Sequence, residues 1–221
     1  MDWMKEEIID KVSIISVEPY DPVVVKNIPR GWELIGRGNF AAVFTHPSLP
    51  NKVVKIYAEN KKGIEEEVKV YKKLGYHKSF SMLYTFGSRY LVLEKLGGVT
   101  LYQAFIEGIF IPKSVLDDVD HAIKYATKQG LNPTDIHGKN VIMLNGHGYI
   151  VDVSDFLKPY KCPKWSHLKR IYTLLYFPLY KLHPFSIPIT MIERIRKSYQ
   201  FYLVISGFRK KQQAYERNSK K

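Results

Sequence analysis

A lysine stands in the middle of an apolar run, Val53-Val54-Lys55-Ile56-Tyr57, whose β-branched and aromatic residues ask for a strand. An unpaired ammonium inside a buried strand is costly, so a chain that folds this way must bring a carboxylate to it. The next segment supplies one. From Gly63 to Leu74, the residues Ile64, Val68, Tyr71 and Leu74 recur at helical spacing while Glu65, Glu66, Lys69, Lys72 and Lys73 face away. Glu67 breaks the pattern, because helical periodicity sets it inside the apolar stripe. A Lys55–Glu67 pair is therefore expected. The alternative is a lysine that reaches to an edge and a solvated Glu67.

Length and composition narrow the classes. With 221 residues, 45% hydrophobic and 25% charged, the chain fits one globular domain or two small lobes sharing a cleft. It contains no repeat or low-complexity tract, which excludes solenoids, collagen and coiled coils. The single cysteine, Cys162, excludes an internal disulfide and a multi-thiolate zinc site and reads as an inert thiol. The acidic first ten residues lack a signal-peptide layout, and no apolar run approaches the roughly 20 residues of a membrane span. A cytoplasmic protein is expected.

The net charge of +13 is confined to one end. Lys158 to Lys221 hold fifteen basic residues against Glu193 and Glu216, while the rest balances at nineteen of each sign. Twelve of the thirty aromatic residues lie there too, interleaved with Lys164, Lys169, Arg170 and Lys181. Such an end could meet an anionic membrane surface or an acidic partner, leaving the protein peripheral to a membrane; otherwise its aromatics complete a core with lysines outside. No specific nucleic-acid motif is present.

Read in order, the chain gives glycine-broken strands over residues 31–57, the helix 63–74, and short strands at 82–86 and 90–94 ended by Gly97-Gly98. A second helix is expected from about Ser114 to Lys128, burying Val115, Leu116, Val119, Ala122, Ile123 and Ala126. Two strands then flank Asn145-Gly146, at 141–144 and 149–153. The remainder is aromatic, basic and helical, divided by prolines. The fold class is α+β and two-lobed, hinged near Glu94 to Gly98. The expected division is an N-terminal extension (1–31), a β-rich N-lobe (32–96), a reduced, mostly helical C-lobe (97–208) and a polar basic tail (209–221).

Three further strings carry chemistry. Ile35-Gly36-Arg37-Gly38-Asn39-Phe40-Ala41-Ala42-Val43 matches G-x-G-x-x-G-x-V except at Ala41. Gly36 and Gly38 would let backbone approach phosphates and Val43 would press on a base, though a plain hairpin turn reads equally well. Asp135-Ile136-His137-Gly138-Lys139-Asn140 gives D-x-x-x-x-N, a spacing expected about a third of a time by chance in this composition, so its context matters. That context is a preceding Pro turn and a following strand that ends in Asp152. Asn140 with Asp152 would form an oxygen-only site for Mg²⁺, Asp135 would accept or orient an acceptor proton, and Lys139 could neutralise a γ-phosphate.

Taken in order, Gly36-x-Gly38, Val53-Val54-Lys55, Glu67, Tyr90 to Glu94, Asp135 to Asn140 and Asp152 resemble the protein-kinase-like superfamily, and within it short atypical bacterial serine/threonine-kinase-like proteins. The resemblance spans about Trp32 to Phe156. It implies a bilobal kinase fold that binds ATP and Mg²⁺, with Ile35 among the nucleotide contacts, adenine held by the backbone of Glu94 to Leu96, and transfer to a hydroxyl acceptor, serine or threonine of a protein first. A sugar or lipid kinase, or a catalytically silent scaffold using the basic end, are the alternatives. Pro133-Thr134-Asp135 replaces His-Arg-Asp, Asp152-Val153-Ser154 replaces Asp-Phe-Gly, no Ala-Pro-Glu follows, and His137 stands where such kinases have lysine. Regulation by a phosphorylated activation loop is not expected. A histidine in such a turn is expected to fix backbone rather than do chemistry.

Overall fold

A computed structural model describes residues 4–17, 21–59, 61 and 63–205. Five antiparallel strands, β3 (Glu33–Arg37), β4 (Ala41–Thr45), β5 (Lys52–Tyr57), β6 (Leu83–Phe86) and β7 (Tyr90–Glu94), form a sheet in the order β3-β4-β5-β7-β6. The central strand β5 is buried on both faces, which is why its sequence runs apolar without polar alternation. Val53 and Tyr57 join the core that contains helix α2 (Ile64–Leu74) and much of the second lobe. Val54 and Ile56 point the other way, into a core with Met4, Ile8, Val12 and Ile14. Those last residues lie in or beside a π-helical turn α1 (Lys5–Ile9) and the strand β1 (Ser13–Ile15), which pairs with β2 (Val24–Lys26), so the segment before Trp32 covers the sheet. Lys55 alternates with Val54 and Ile56 and therefore faces α2.

The second lobe starts with β8 (Val99–Thr100) and α3 (Leu101–Glu107), neither of which the periodicity revealed. The signal was present as a capping box: the Thr100 hydroxyl accepts the Gln103 N–H at 3.1 Å and the Gln103 side chain accepts the Thr100 N–H at 3.0 Å. Helix α4 (Lys113–Lys128) buries Val115, Leu116, Val119, Ala122 and Ala126, with Ile123 partly covered. The hairpin β9 (Val141–Leu144) and β10 (His147–Ile150) turns at Asn145-Gly146, both with positive φ (51° and 76°), as a two-residue type I′ connection demands. Strand β10 stops at Ile150 rather than continuing to Val153, because the Val151 N–H leaves the ladder for the Asn140 carbonyl at 3.0 Å.

The C-terminal end is helical: α5 (Lys164–Ile171), a π-helical segment (Tyr172–Tyr176), α6 (Phe177–Leu182) and α7 (Ile189–Ile205). Trp165, Tyr172 and Tyr176 are buried, so part of the aromatic excess does complete the core. The hydroxyls of Tyr172, Tyr176 and Tyr180 donate to the carbonyls of Ile111, Ile109 and Gly108 at 2.8, 3.2 and 2.6 Å, fastening this helix to the α3–α4 connection. Among the described residues no helix is long and apolar enough to cross a membrane. The expected polar tail, 209–221, lies outside the described residues.

Candidate active site

Lys55 and Glu67 meet. The Lys55 ammonium donates to Glu67 Oε1 at 2.8 Å and to Asp152 Oδ1 at 3.3 Å. Tyr57 lies two residues from Lys55, hence on the same face of β5, and its hydroxyl donates to Glu67 Oε2. Glu67 is fully buried with both oxygens accepting, as a carboxylate does. Burial pushes its carboxyl up, with Lys55 opposing. Burial alone would lower Lys55, but Asp152 and Glu67 carry it well above its ordinary value and keep it charged. Asp152 has the reverse balance: burial would raise it, and Lys55 with the hydrogen bonds from Ser154 holds it low. The Ser154 N–H reaches Asp152 Oδ1 at 3.1 Å. Asp155, the other acid of this loop, is bound to Lys158 at 2.7 Å. Of the three acids, Asp152 is the most exposed.

The glycine segment turns between β3 and β4, with the Gly38 N–H donating to the Ala41 carbonyl at 2.9 Å. Neither Gly36 nor Gly38 has positive φ, and a Cβ at either would find its nearest neighbour at 3.8 or 3.9 Å. The fold leaves room for a side chain at both positions, and Gly36 lies at the register shift between β3 and β4. Ile35 and Phe40 are exposed beside this turn, and Val43 pairs across from Lys55. At the hinge, the Glu94 N–H donates to the Met82 carbonyl at 2.8 Å and the Glu94 carbonyl accepts the Ser81 hydroxyl at 2.7 Å. Leu96 makes no backbone hydrogen bond to any described residue.

The second cluster is the turn 135–140. Asp135 has φ +59°, a left-handed conformation that aspartate tolerates better than most residues and that recurs at functional sites. The Asn140 side chain holds it by donating to the Asp135 carbonyl at 3.2 Å. His137 Nδ1 accepts the Lys139 N–H at 3.3 Å and its carbonyl accepts the Asn140 N–H at 2.9 Å, the backbone-fixing role. Burial pushes the imidazole below its ordinary value, against the charge of Asp135. Lys139 lies elsewhere, its ammonium 4.4 Å from the centre of the Tyr102 ring. Instead Lys164, the first residue of α5, bonds Asp135 Oδ1.

Lys55, Glu67 and Asp152 thus form one cluster, and Asp135 and Asn140 form an adjoining turn, linked to it through the Val151–Asn140 backbone bond. The partly exposed Asp152 carboxylate and the Asn140 amide are oxygen donors of the kind a hard divalent ion would take. Sequence reasoning missed Tyr57, which the strand period could have found, and Lys164, which no spacing connects to Asp135. Among the described residues no group of three or more His, Cys, Asp or Glu could hold a metal. Asp118 is bound to His147 and the Gly148 N–H, and Asp120 to Trp165 and Lys169. Cavities of about 390 and 330 Å³ lie outside this cleft, beside Ser13–Ser16 and beside His46–Pro50.

A β-rich lobe that carries a buried lysine–glutamate pair, set against a helical lobe that carries an Asp-to-Asn turn, defines a protein-kinase-like fold. No family model matches the chain. A curated Bacillus subtilis (strain 168) protein, the "Putative serine/threonine-protein kinase YrzF", is 32% identical over 146 residues, which cover 65% of this chain and 68% of that one. The PknI kinase domain of Mycobacterium tuberculosis aligns at 16% identity and a TM-score of 0.44, over 57% of this chain and 60% of that domain. The chain belongs to the protein-kinase-like superfamily.

Proposed function

We propose that the protein is an ATP- and Mg²⁺-dependent kinase that transfers the γ-phosphoryl group to a serine or threonine hydroxyl of a protein. The observation that carries this reading is the Lys55 ammonium, held between buried Glu67 and partly exposed Asp152. The serine/threonine specificity is that of the relative's name. In this reading Lys55 neutralises the α- and β-phosphates while Glu67 and Tyr57 fix its position. Gly36 and Gly38 admit the phosphate chain, Ile35 and Val43 cover the base, and the backbone of Glu94 to Leu96 receives its edge, chiefly through Leu96. Asn140 and Asp152 would hold Mg²⁺, which when bound supplies charge neutralisation to the phosphate oxygens. Asp135 accepts the proton of the acceptor hydroxyl.

Labelled ATP with Mg²⁺ tests the assignment, using the chain alone, with a basic protein, and with sugar or lipid acceptors. Label on serine or threonine is expected. Asp135→Ala should lower turnover about 10²- to 10⁴-fold and keep nucleotide binding. Asp152→Asn should weaken Mg-nucleotide binding about tenfold or more. Label confined to the small acceptors overturns the protein specificity, and equal transfer by all three proteins overturns the catalytic assignment.

The exposed aliphatic face of the C-terminal end supports a second reading, contact with an anionic lipid surface. Ile171, Leu174, Leu175, Leu179 and Leu182 are each more than half exposed, on the helix whose other side buries Trp165, Tyr172 and Tyr176. From Lys158 to Ile205 the only acid is Glu193, which is already bound by Arg196 at 2.7 Å and Tyr102 at 3.1 Å. Lys158, Lys164 and Lys169 are paired with acids of the preceding segments, but Lys161, Arg170, Lys181, Arg194 and Lys197 are in no described ion pair, and exposed aliphatic side chains amid such positive charge suit the boundary of an anionic membrane.

A further inference from the structure

Phosphoryl transfer spreads negative charge over the oxygens of the moving group, and a cation placed there in advance lowers the barrier. The turn 135–140 does not deliver one. His137 spends Nδ1 on backbone, and its buried imidazole disfavours the charged form. Lys139 is stacked on Tyr102, whose hydroxyl donates to Glu193 of α7 at 3.1 Å. The cation in contact with Asp135 comes from a different element. We propose that Lys164 is a catalytic residue that meets the γ-phosphoryl group during transfer. This inference rests on the kinase reading above.

Three observations carry it. The Lys164 ammonium bonds Asp135 Oδ1, and its side chain is partly exposed (28%), within reach of a ligand. Asp135 Oδ2 lies 3.8 Å from His137 Nε2, too far for a hydrogen bond, so that oxygen can take the acceptor proton. One carboxylate thereby sets the acceptor oxygen and the ammonium side by side. Second, Lys164 opens α5, where the helix dipole disfavours a cation, so no local helix preference puts a lysine there. Third, both sides of Lys164 are anchored. Trp165 donates to Asp120 at 2.8 Å, and Asn132 donates to the carbonyls of Lys158 and Tyr160 at 2.6 and 2.9 Å. Residues 153–163 connect Asp152 to α5 through a turn and bends without any intervening helix or strand, which is what brings this helix to the turn 135–140.

In the step itself, the acceptor oxygen forms a bond to the γ-phosphorus as the bond from phosphorus to the β–γ bridging oxygen breaks. ADP leaves with that electron pair, and the hydroxyl proton goes to Asp135 Oδ2. Lys164 exchanges no proton; it offsets the charge.

Calorimetric titration of the full chain with Mg-ADP and with Mg²⁺ plus a non-hydrolysable ATP analogue tests this without turnover. Lys164→Gln should weaken the triphosphate about ten- to a hundredfold and change ADP less than about twofold, while Lys164→Arg keeps most of the difference. Labelled transfer should fall in Lys164→Gln. In the unmodified chain, the triphosphate analogue should shield Lys164 from reductive methylation more than ADP does, a readout that needs no variant to fold. The proposal is overturned if Lys164→Gln affects both nucleotides alike or neither, if it raises transfer, or if Lys139→Ala abolishes the triphosphate preference instead. If Lys164→Gln changes nothing while Asp135→Ala abolishes transfer, Lys164 alone is misassigned. If the chain binds neither nucleotide, the kinase reading falls with it.

Discussion

Replacing Glu67 by alanine tests the buried polar cluster most directly. Glu67 is fully buried and accepts from Lys55 at 2.8 Å and from Tyr57. Its loss leaves the Tyr57 hydroxyl buried without an acceptor, about 1–3 kcal/mol. Lys55 keeps Asp152 at 3.3 Å, so the roughly 3–5 kcal/mol for breaking a buried ion pair applies only in part. The two effects together give a loss of about 3–4 kcal/mol. For a chain of this size that lowers the melting temperature by roughly 6–16 °C. Glu67→Gln keeps the volume and one acceptor and should lose about half as much. In the double variant with Tyr57→Phe no orphan hydroxyl remains, so the losses should fall short of additive by about 1 kcal/mol. Urea unfolding with an unchanged m-value measures the natural chain, the three single variants and the double variant. A loss below about 1 kcal/mol for Glu67→Ala would mark the contact as no better than a surface ion pair and would refute the reasoning.

Gly36→Ala and Gly38→Ala should leave stability unchanged or raise it by up to about 1 kcal/mol, because the fold has room for both Cβ atoms. Nucleotide affinity should fall in each, and unchanged affinity by titration would remove the phosphate-approach argument. Burial, with the neighbouring Tyr176 and Asp117, pushes the Tyr172 hydroxyl up to about 12. A raised folded value stabilises fully below the unfolded value of about 10 and is lost as pH rises through 12. The stability advantage of the natural chain over Tyr172→Phe should therefore disappear across that window in urea midpoints; a constant difference would contradict it. The chain should float with vesicles containing phosphatidylglycerol and not with phosphatidylcholine alone, less so at high salt. Leu174→Asp should abolish flotation without unfolding, since Leu174 is 60% exposed. Flotation with neither vesicle, with self-association in sedimentation, would assign that face to a second copy.

The parts of the fold legible in the sequence were those with a single period and a single burial requirement. Helix α2 and Glu67 followed from one apolar stripe, and α4 likewise. Helix α3 was missed because seven residues hold too few turns for periodicity, although its Thr100-x-x-Gln103 cap was in view. The two-sided burial of β5 could be read from the apolar residues flanking Lys55 on both faces, but not that residues ahead of Trp32 would cover the second face. Within the site, local strings located the Asp135–Asn140 turn, whereas Lys164 reaches Asp135 only through tertiary docking of α5 on Asp120 and of the tyrosines on carbonyls. A spacing rule has no access to that contact.

The arrangement around Lys55 explains why one ammonium has two carboxylates. Of the described ion pairs, Lys55–Asp152 is the one that joins the β-rich lobe to the helical lobe. Glu67, at 0% exposure, cannot turn toward a ligand, and it keeps Lys55 charged and aimed whatever the cleft holds. Asp152, with 38% of its side chain exposed, can. Under the proposed function, Lys55 would turn from Asp152 to phosphate oxygens, and Asp152 would be one of the residues that hold the divalent ion. Neither charge is left buried without a partner at any stage, which avoids the large penalty for an orphaned ion. The raised Lys55 and lowered Asp152 values have the same cause, and they mean that both groups enter the exchange already ionised. A lysine with Glu67 alone would hold its position but leave the lobes without this ionic link; with Asp152 alone it would lose its aim each time a ligand entered.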